Sequence, residues 1–401
     1  MLLKLDTGHP LQIAYTPQQK RFAELVEAFV RRHWPVAQHD PVAGHKIVPA
    51  QVSQWRAAVV SQGWSVPLWP VEFGGTGWNP TEHFIWQACC AAFEVDNTFF
   101  DDVGVTVVGP SLIREGDDAA RDLFLSGIRQ WQERWCLAFF EPHCDGDLAQ
   151  MSSTLTAVEE GWLLTGHKTL VMDFTAATWV CCLARWSAGT DEYVLVAVPV
   201  DSQGIERREH TSLDARTALD ELIFHDIVVP SQYLLSKPAP AAHFQHLFFN
   251  GVYATLTRSA VAGAQLARID QSLTALQHDE DLLSQRNGLA VDLAGLQALE
   301  LRCVDALAHR QPLPVPLEVL RIRSRQILLQ LGALQMECFG YYALPYPDEA
   351  LLHNEGPIGP QAATGAVQRA LAQQVSTLYA GDTETLKDSV AKELNITQEI
   401  E

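Results

Sequence analysis

Three stretches of the chain gather side chains that could do chemistry. His143, Cys144, Asp145 and Asp147 are all metal-ligand types crowded into one short segment. Their spacing fits no zinc pattern, and no metal is expected there. Gly75-Thr-Gly77-Trp78-Asn79-Pro80 has the look of a dinucleotide loop, yet no strand precedes it and a proline stands where the last glycine belongs. A phosphate-cradling turn is therefore not expected. Arg321, Arg323 and Arg325 alternate at a spacing of two in a helical stretch, so they do not share one face. A solvated or inter-subunit role is expected for them rather than a phosphate clamp.

The charge balance narrows what such groups could serve. Lys and Arg number 28 against 48 Asp and Glu, a formal charge of −20, which argues against nucleic-acid or anionic-membrane partners. Arginine outnumbers lysine 21 to 7, so an anionic ligand would need locally gathered guanidinium groups. No run of about 18 uncharged apolar residues occurs. The opening Met-Leu-Leu-Lys-Leu-Asp-Thr-Gly lacks the layout of a secretory signal. Eight cysteines, with no Cys-x-x-Cys, read as reduced thiols of a cytoplasmic protein, and the pairs Cys89-Cys90 and Cys181-Cys182 read as core.

With 401 residues and 47% of them hydrophobic, the chain can bury a large core in two or three domains. Residues 15 to about 133 are helical in pattern: Phe22, Leu25, Val26 and Phe29 follow a Thr16-Pro17 start, and the periodicity returns from Thr81 and over Asp117–Leu125. Between them, Pro67–Pro80 is a loop dense in helix breakers. From Trp135 the texture changes to short β-branched and aromatic runs, Trp135–Phe140, Ser153–Val158, Trp162–Thr165, Thr178–Ala184, Glu192–Val198 and Leu222–Val229. These predict a small β-barrel or sandwich. From Ala241 onward helices return, with Leu317, Leu320, Ile327, Leu328, Leu331 and Leu334 marking one apolar face and a last helix from Asp382-Thr383 to Leu394. The fold class is thus α+β: an N-terminal α-helical domain over 1–133, a central β domain over 134–235, and a C-terminal four-helix bundle over 236–401.

That order, with a collinear set of landmarks over the whole chain, resembles the acyl-CoA dehydrogenases. The carriers are Pro70-Val-Glu-Phe-Gly-Gly-Thr-Gly-Trp78, Phe140-Glu-Pro-His-Cys-Asp-Gly-Asp147 at the family's Thr/Ser-Glu-Pro-x-x-Gly-Ser-Asp, Gly166-His-Lys-Thr169 at its Gly-x-Lys, and Val229-Pro230. Phe339-Gly-Tyr-Tyr-Ala-Leu-Pro345, Gly356-Pro-Ile-Gly-Pro360 and Leu378-Tyr-Ala-Gly-Asp-Thr-Glu384 complete it, and are similar to a bacterial branch with pimeloyl-CoA and steroid side-chain dehydrogenase subunits. The resemblance implies FAD and an acyl-CoA. A carboxylate takes the acyl α-proton, a flavin takes the β-hydride, and donors to the thioester carbonyl acidify that proton.

Measured against that pattern, the reacting groups are missing. Ala380 stands where much of the family has its base in Tyr-Glu-Gly-Thr, and Thr257, before Arg258, stands at the alternative base position. Asp382 and Glu384 are the weak substitutes. At the positions that resemblance assigns to flavin, the chain offers Phe140, Gly146, Leu170, Met172 and Gly381, while Asp145 and Asp147 bring carboxylates towards a pyrophosphate. The family's Arg-x-x-Phe-Gly segment falls near Leu276–Ser284, which is acidic here. Arg258 matches the family's arginine beside the acyl-CoA site, with a structural ion pair as its other reading. The expectation is a catalytically degenerate subunit of a heteromeric complex, partnered by a second, active acyl-CoA dehydrogenase subunit. The alternatives are an autonomous homotetramer with an unusual base, and a flavin-free scaffold.

Overall fold

The computed structural model describes residues 15–34, 49–93, 95, 102–144, 148–186, 191–213, 219–245, 255–275, 279–344, 363, 365–375 and 383–394. In chain order the helices α1 (Pro17–His33), α2 (Pro49–Gln62), α3 (Pro80–Ala92), α4 (Gly109–Glu115) and α5 (Asp118–Arg129) come first. Strands β1 (Trp135–Ala138), β2 (Thr154–Val158), β3 (Gly161–Val171), β4 (Trp179–Trp186), β5 (Glu192–Pro199), β6 (Ile205–Arg208), β7 (Asp220–Val229) and β8 (Ala239–Pro240) follow. Helices α6 (Ala241–Gln245), α7 (Arg258–Ala275), α8 (Glu280–Ala308), α9 (Leu317–Phe339), α10 (Ala366–Val375) and α11 (Thr383–Glu393) complete the chain. By contact the protein divides into a sheet unit, Arg56–Gly77 with Asn97–Asn250, and a helical unit of Met1–Trp55, Trp78–Asp96 and Gly251–Glu401.

The sheet unit is organised by β4. One of its edges pairs antiparallel with β5 over Trp179–Arg185. The other edge is shared, with β1 parallel beside Trp179–Cys182 and β2 parallel beside Arg185–Trp186. The order along the sheet is β6-β7-β3-β2-β4-β5-β8, with β1 off this path on β4. Alternation sends Cys181, Leu183, Leu195 and Ala197 into one core, with Leu112, Phe124 and Ile128 of α4 and α5. It sends Val180, Cys182, Ala184, Val194 and Val196 into another, where they meet Leu155, Leu164, Leu222 and Phe224 of β2, β3 and β7. Strands β4–β5 and β3–β7 therefore enclose a common core, which is the barrel-or-sandwich arrangement read from the sequence. The same alternation turns Cys181 and Cys182 to opposite faces, and all eight cysteines are buried and unbridged.

The glycine-rich loop before α3 has a mechanical role. Trp69 is 3% exposed and its indole Nε1 donates to the Val105 carbonyl at 3.0 Å. A Cβ at Gly75 would overlap the Trp69 carbonyl, and one at Gly109 would overlap its ring. Both glycines are what lets the indole sink in. The loop ends where Asn79 caps α3 in a reciprocal box with Glu82, and Pro80 occupies the first turn. The same device, Thr16 with Gln19 and Pro17, starts α1.

In the helical unit, α3, α7, α8 and α9 bury Phe84, Ala88, Leu266, Ile269, Leu293, Leu296, Ile327 and Leu331 in one core. Beside it Trp55 stacks on Trp86 with centroids 6.1 Å apart, and Phe29 and Trp34 close the cluster. Helix α11 begins at Thr383, as its sequence predicts. Strands β6 and β8 were not anticipated. The first is Ile-Glu-Arg-Arg with no apolar alternation, and the second has two residues. Among the described residues no helix is long and apolar enough to cross a membrane.

Truncating the buried indole should therefore empty a well-packed site. Trp69→Ala is expected to lower the unfolding free energy by about 3–5 kcal/mol, read from the urea midpoint. A change below about 1 kcal/mol would refute the anchoring role.

Candidate active site

Because β1 and β2 share one edge of β4, the chain between them leaves the sheet, and side chains must hold it. Glu141 does most of this. It is 7% exposed and accepts hydrogen bonds from the Ser152 and Ser153 backbone amides at 2.6 and 3.0 Å, the Ser152 hydroxyl at 2.7 Å, and the Lys168 ammonium at 2.8 Å. Lys168, on β3, is fully buried and also donates to the Phe139 carbonyl at 3.3 Å. Burial alone would raise the Glu141 carboxyl, but Lys168 and the serine donors prevail and hold it down at about 2. Two residues before Lys168, a Cβ at Gly166 would overlap the Ser153 side chain, which explains the glycine of that motif. Further along the segment, Tyr193 donates to the Leu148 carbonyl, and Arg185 to those of Ala149 and Met151.

This frame brings two of the expected flavin positions together. The Phe140 carbonyl accepts from the Thr169 amide at 2.9 Å, directly before Leu170. Leu170 has φ +55°, a left-handed conformation unusual for leucine, at a break in the β3–β7 register. Met172 follows, half-buried. The backbone is thus bent where the family covers its flavin, yet Phe140, Leu170 and Met172 supply no side-chain donor to a ring nitrogen or carbonyl. In donor chemistry these described residues do not fit a flavin. Gly146 and Gly381 lie outside the described residues, as do Asp145 and Asp147. His143 is exposed, and Cys144 is buried beside Glu141, with Sγ 3.8 Å from its carboxylate.

The helical unit holds the other expected site residues. Thr257 is 7% exposed, and its hydroxyl donates to the Gln87 side-chain oxygen at 3.2 Å. Arg258 opens α7. The next residue, Ser259, gives its amide at 3.0 Å and its hydroxyl to Glu300 on α8. Glu300 is fully buried; burial pushes its pKa up from 4.5 to about 8, against the opposing pull of the Ser259 donors and the Arg258 charge. Sequence reasoning missed Glu300, although a lone carboxylate in Leu296-Gln-Ala-Leu-Glu-Leu301 was the available signal. Glu384 is exposed and pairs with Lys387 at 2.7 Å. Ala380 and Asp382 lie outside the described residues. Within Leu276–Ser284, Asp279 caps α8 by accepting from the amides of Asp281 and Leu282.

Residues 16–130 match the family model for the acyl-CoA dehydrogenase N-terminal domain. The acyl-CoA dehydrogenase IpdE1 of Mycobacterium tuberculosis is 23% identical over 301 residues, 73% of this chain and 77% of that protein. Residues 16–130 thus carry an acyl-CoA dehydrogenase N-terminal domain. Another IpdE1, from Mycolicibacterium smegmatis, is 24% identical over 64% of this chain and 69% of its own length. Among solved structures, the Tcur3481-Tcur3483 steroid ACAD has a TM-score of 0.77 at 14% identity, covering 97% of this chain and 99% of that one. The ChsE4-ChsE5 complex from Mycobacterium tuberculosis also scores 0.77, at 17% identity and 97% and 100% coverage. The fold is therefore that of an acyl-CoA dehydrogenase, with helical, mixed-sheet and helical regions in the expected order.

Two measurements test this geometry. Glu141→Gln leaves a buried ammonium without its charge partner and should destabilise the protein by about 3–5 kcal/mol, while Glu141→Gln with Lys168→Met should recover much of that loss. Glu300 predicts the opposite pH trend to an ordinary carboxylate. The folded chain keeps its proton up to about 8 and the unfolded chain releases it near 4.5, so stability falls as pH rises between those values. The slope from this group is about 1.4 kcal/mol per pH unit. Glu300→Gln should flatten that decline in urea titrations, and an unchanged slope would exclude the assignment.

Proposed function

We propose that this acyl-CoA dehydrogenase-family chain is the catalytically degenerate subunit of a heteromeric, FAD-dependent dehydrogenase of the cytoplasm. Its partner is a second subunit of the same family that carries the base. The complex introduces a Cα–Cβ double bond into a bulky acyl-CoA of the steroid side-chain or dicarboxylyl kind. The observation that carries the reading is Thr257. At a position where the family can place its carboxylate, this chain has a buried hydroxyl, far too weak an acid or base on its own, donating to Gln87.

Other features support the same reading. Glu384, one of two substitutes for the base, is a surface carboxylate whose side chain is 80% exposed and paired with Lys387. Two neighbours of the same fold carry paired names, Tcur3481-Tcur3483 and ChsE4-ChsE5, and the first is called a steroid ACAD. A flavin, where one is bound to the assembly, supplies the hydride acceptor. The part left to this chain is to present Arg258 towards the acyl-CoA and to hold the Phe140–Leu170 frame in shape. The division into domains at 1–133, 134–235 and 236–401 belongs to this proposal. A second reading, a scaffold that has lost flavin altogether, is favoured by Phe140, Leu170 and Met172 alone.

The visible spectrum of the purified chain, alone and co-expressed with a motif-complete family member, decides between them. The degenerate-subunit reading expects a colourless or inactive chain that becomes part of a yellow, acyl-CoA-reducible complex with its partner. A chain that is yellow alone and bleaches on acyl-CoA addition would overturn it in favour of an autonomous enzyme. A complex that stays colourless would leave the scaffold.

A further inference from the structure

The chain entering α7 is tied to three other helices by three hydroxyl residues. Thr255 accepts from the Arg321 guanidinium of α9 at 3.2 Å. Thr257 donates to Gln87 of α3 at 3.2 Å, and Ser259 holds Glu300 of α8 through its amide at 3.0 Å and its hydroxyl. Thr255, Thr257 and Ser259 are all buried. Arg321 is therefore not the solvated residue its spacing predicted: its side chain is only 11% exposed, and it also meets the Glu318 carboxylate at 3.3 Å. Arg323, two residues on, turns instead to Asp292 on α8 and forms an ion pair there.

Apolar packing already seats the body of α7, because Ala262, Leu266 and Ile269 enter the helical core. The hydroxyl ties act earlier, in the first turn, where backbone amides have no partner within the helix. Arg258 is half-buried and lies directly between two tied residues, Thr257 and Ser259. Its backbone is thus held from both sides, and only its side-chain torsions are left to set. The Glu300 tie is the firmest of the three, with two contacts to one residue from a carboxyl that is fully buried. Burial also keeps that carboxyl protonated up to about 8. In this neutral form it offers one oxygen to accept from the Ser259 amide and one O–H to share with the Ser259 hydroxyl.

We propose that Glu300 is a positioning residue for Arg258: by holding Ser259 against α8, it sets the direction in which Arg258 leaves α7 towards an acyl-CoA. This rests on the proposed function, in which Arg258 faces that ligand, and adds the residue that aims it. Glu300 acts through Ser259 and contacts no ligand itself. A shift of about 1 Å in a group that touches a ligand removes much of what it contributes, so loss of the tie is felt at the ligand. Glutamine presents the same acceptor and donor as a neutral glutamic acid, whereas alanine presents neither.

The test is calorimetric titration with octanoyl-CoA of the full chain, alone and co-expressed with a motif-complete family member. Glu300→Gln should bind within about twofold of the wild type, and Glu300→Ala about tenfold or more weaker. In an Arg258→Gln background the further loss from Glu300→Ala should vanish, since both act through one guanidinium. Leu293→Ala removes a buried side chain of α8 that lies beside Gly263, later in α7, and should leave binding unchanged. Should Glu300→Ala fail to fold, Ser259→Ala decides, with binding about threefold or more weaker from loss of the hydroxyl contact alone. Undiminished binding in Glu300→Ala, an equal loss in Leu293→Ala, or additive losses with Arg258→Gln would overturn the positioning role while leaving the proposed function standing. A wild type that binds no octanoyl-CoA in either form would overturn the presentation of Arg258 itself, and this proposal with it.

Discussion

The sheet unit depends on one buried ion pair. Strand β4 has more partners than a single edge can serve, so β1 and β2 divide that edge and the chain between them has no ladder to join. Glu141 and Lys168 replace the ladder. An isolated buried charge of either sign would be prohibitive, but the carboxylate has Lys168 and three serine donors, and the ammonium has the Phe139 carbonyl as a second acceptor. Because Lys168 lies on β3 and Ser152-Ser153 lead into β2, the pair ties three separate stretches of chain at one point. The depressed Glu141 pKa follows from this geometry. So does Gly166, whose missing side chain is the space Ser153 occupies.

Positions that hold the shape and positions that would hold reactants have separated in this chain. Glu141, Gly166 and Lys168 are landmarks of the family motifs, and each has a structural function visible in its contacts. Phe140, Leu170 and Met172 occupy the same segments but carry no donor. The left-handed backbone at Leu170 is informative because leucine gains nothing from it locally. The strain persists because the bulged strand, anchored two residues earlier by Lys168, imposes it. The bend belongs to the frame, whatever side chain sits on it.

Much of this was legible in the sequence, for identifiable reasons. Helices α1 and α3 announce themselves by Thr16-Pro17 and Asn79-Pro80, because caps are made by local side chains. Strands β4 and β5 do so because burial on both faces demands unbroken apolar runs. Strand β6 does not, because its pairing with β7 is set by the sheet and not by its own Glu-Arg-Arg. In the site, the absence of a carboxylate at Thr257 could be read directly, since it concerns residue identity. Glu300 could not, since its importance comes from α8 lying against the start of α7. The same holds for Arg321. Spacing separates it from Arg323, but only packing determines which face is buried.

The two buried carboxyl groups show why residue type alone does not assign a role. Glu141 and Glu300 are both almost inaccessible, and both accept from a serine amide and hydroxyl. Their ionisation is nevertheless driven in opposite directions, to about 2 and about 8. The difference is one cation. Lys168 lies 2.8 Å from Glu141, whereas the Arg258 charge pulls on Glu300 without offsetting its burial. A carboxyl with its own counter-charge is ionised and serves as a fastener. A carboxyl without a cation that close keeps its proton near neutral pH and serves instead to cap the start of α7 through Ser259.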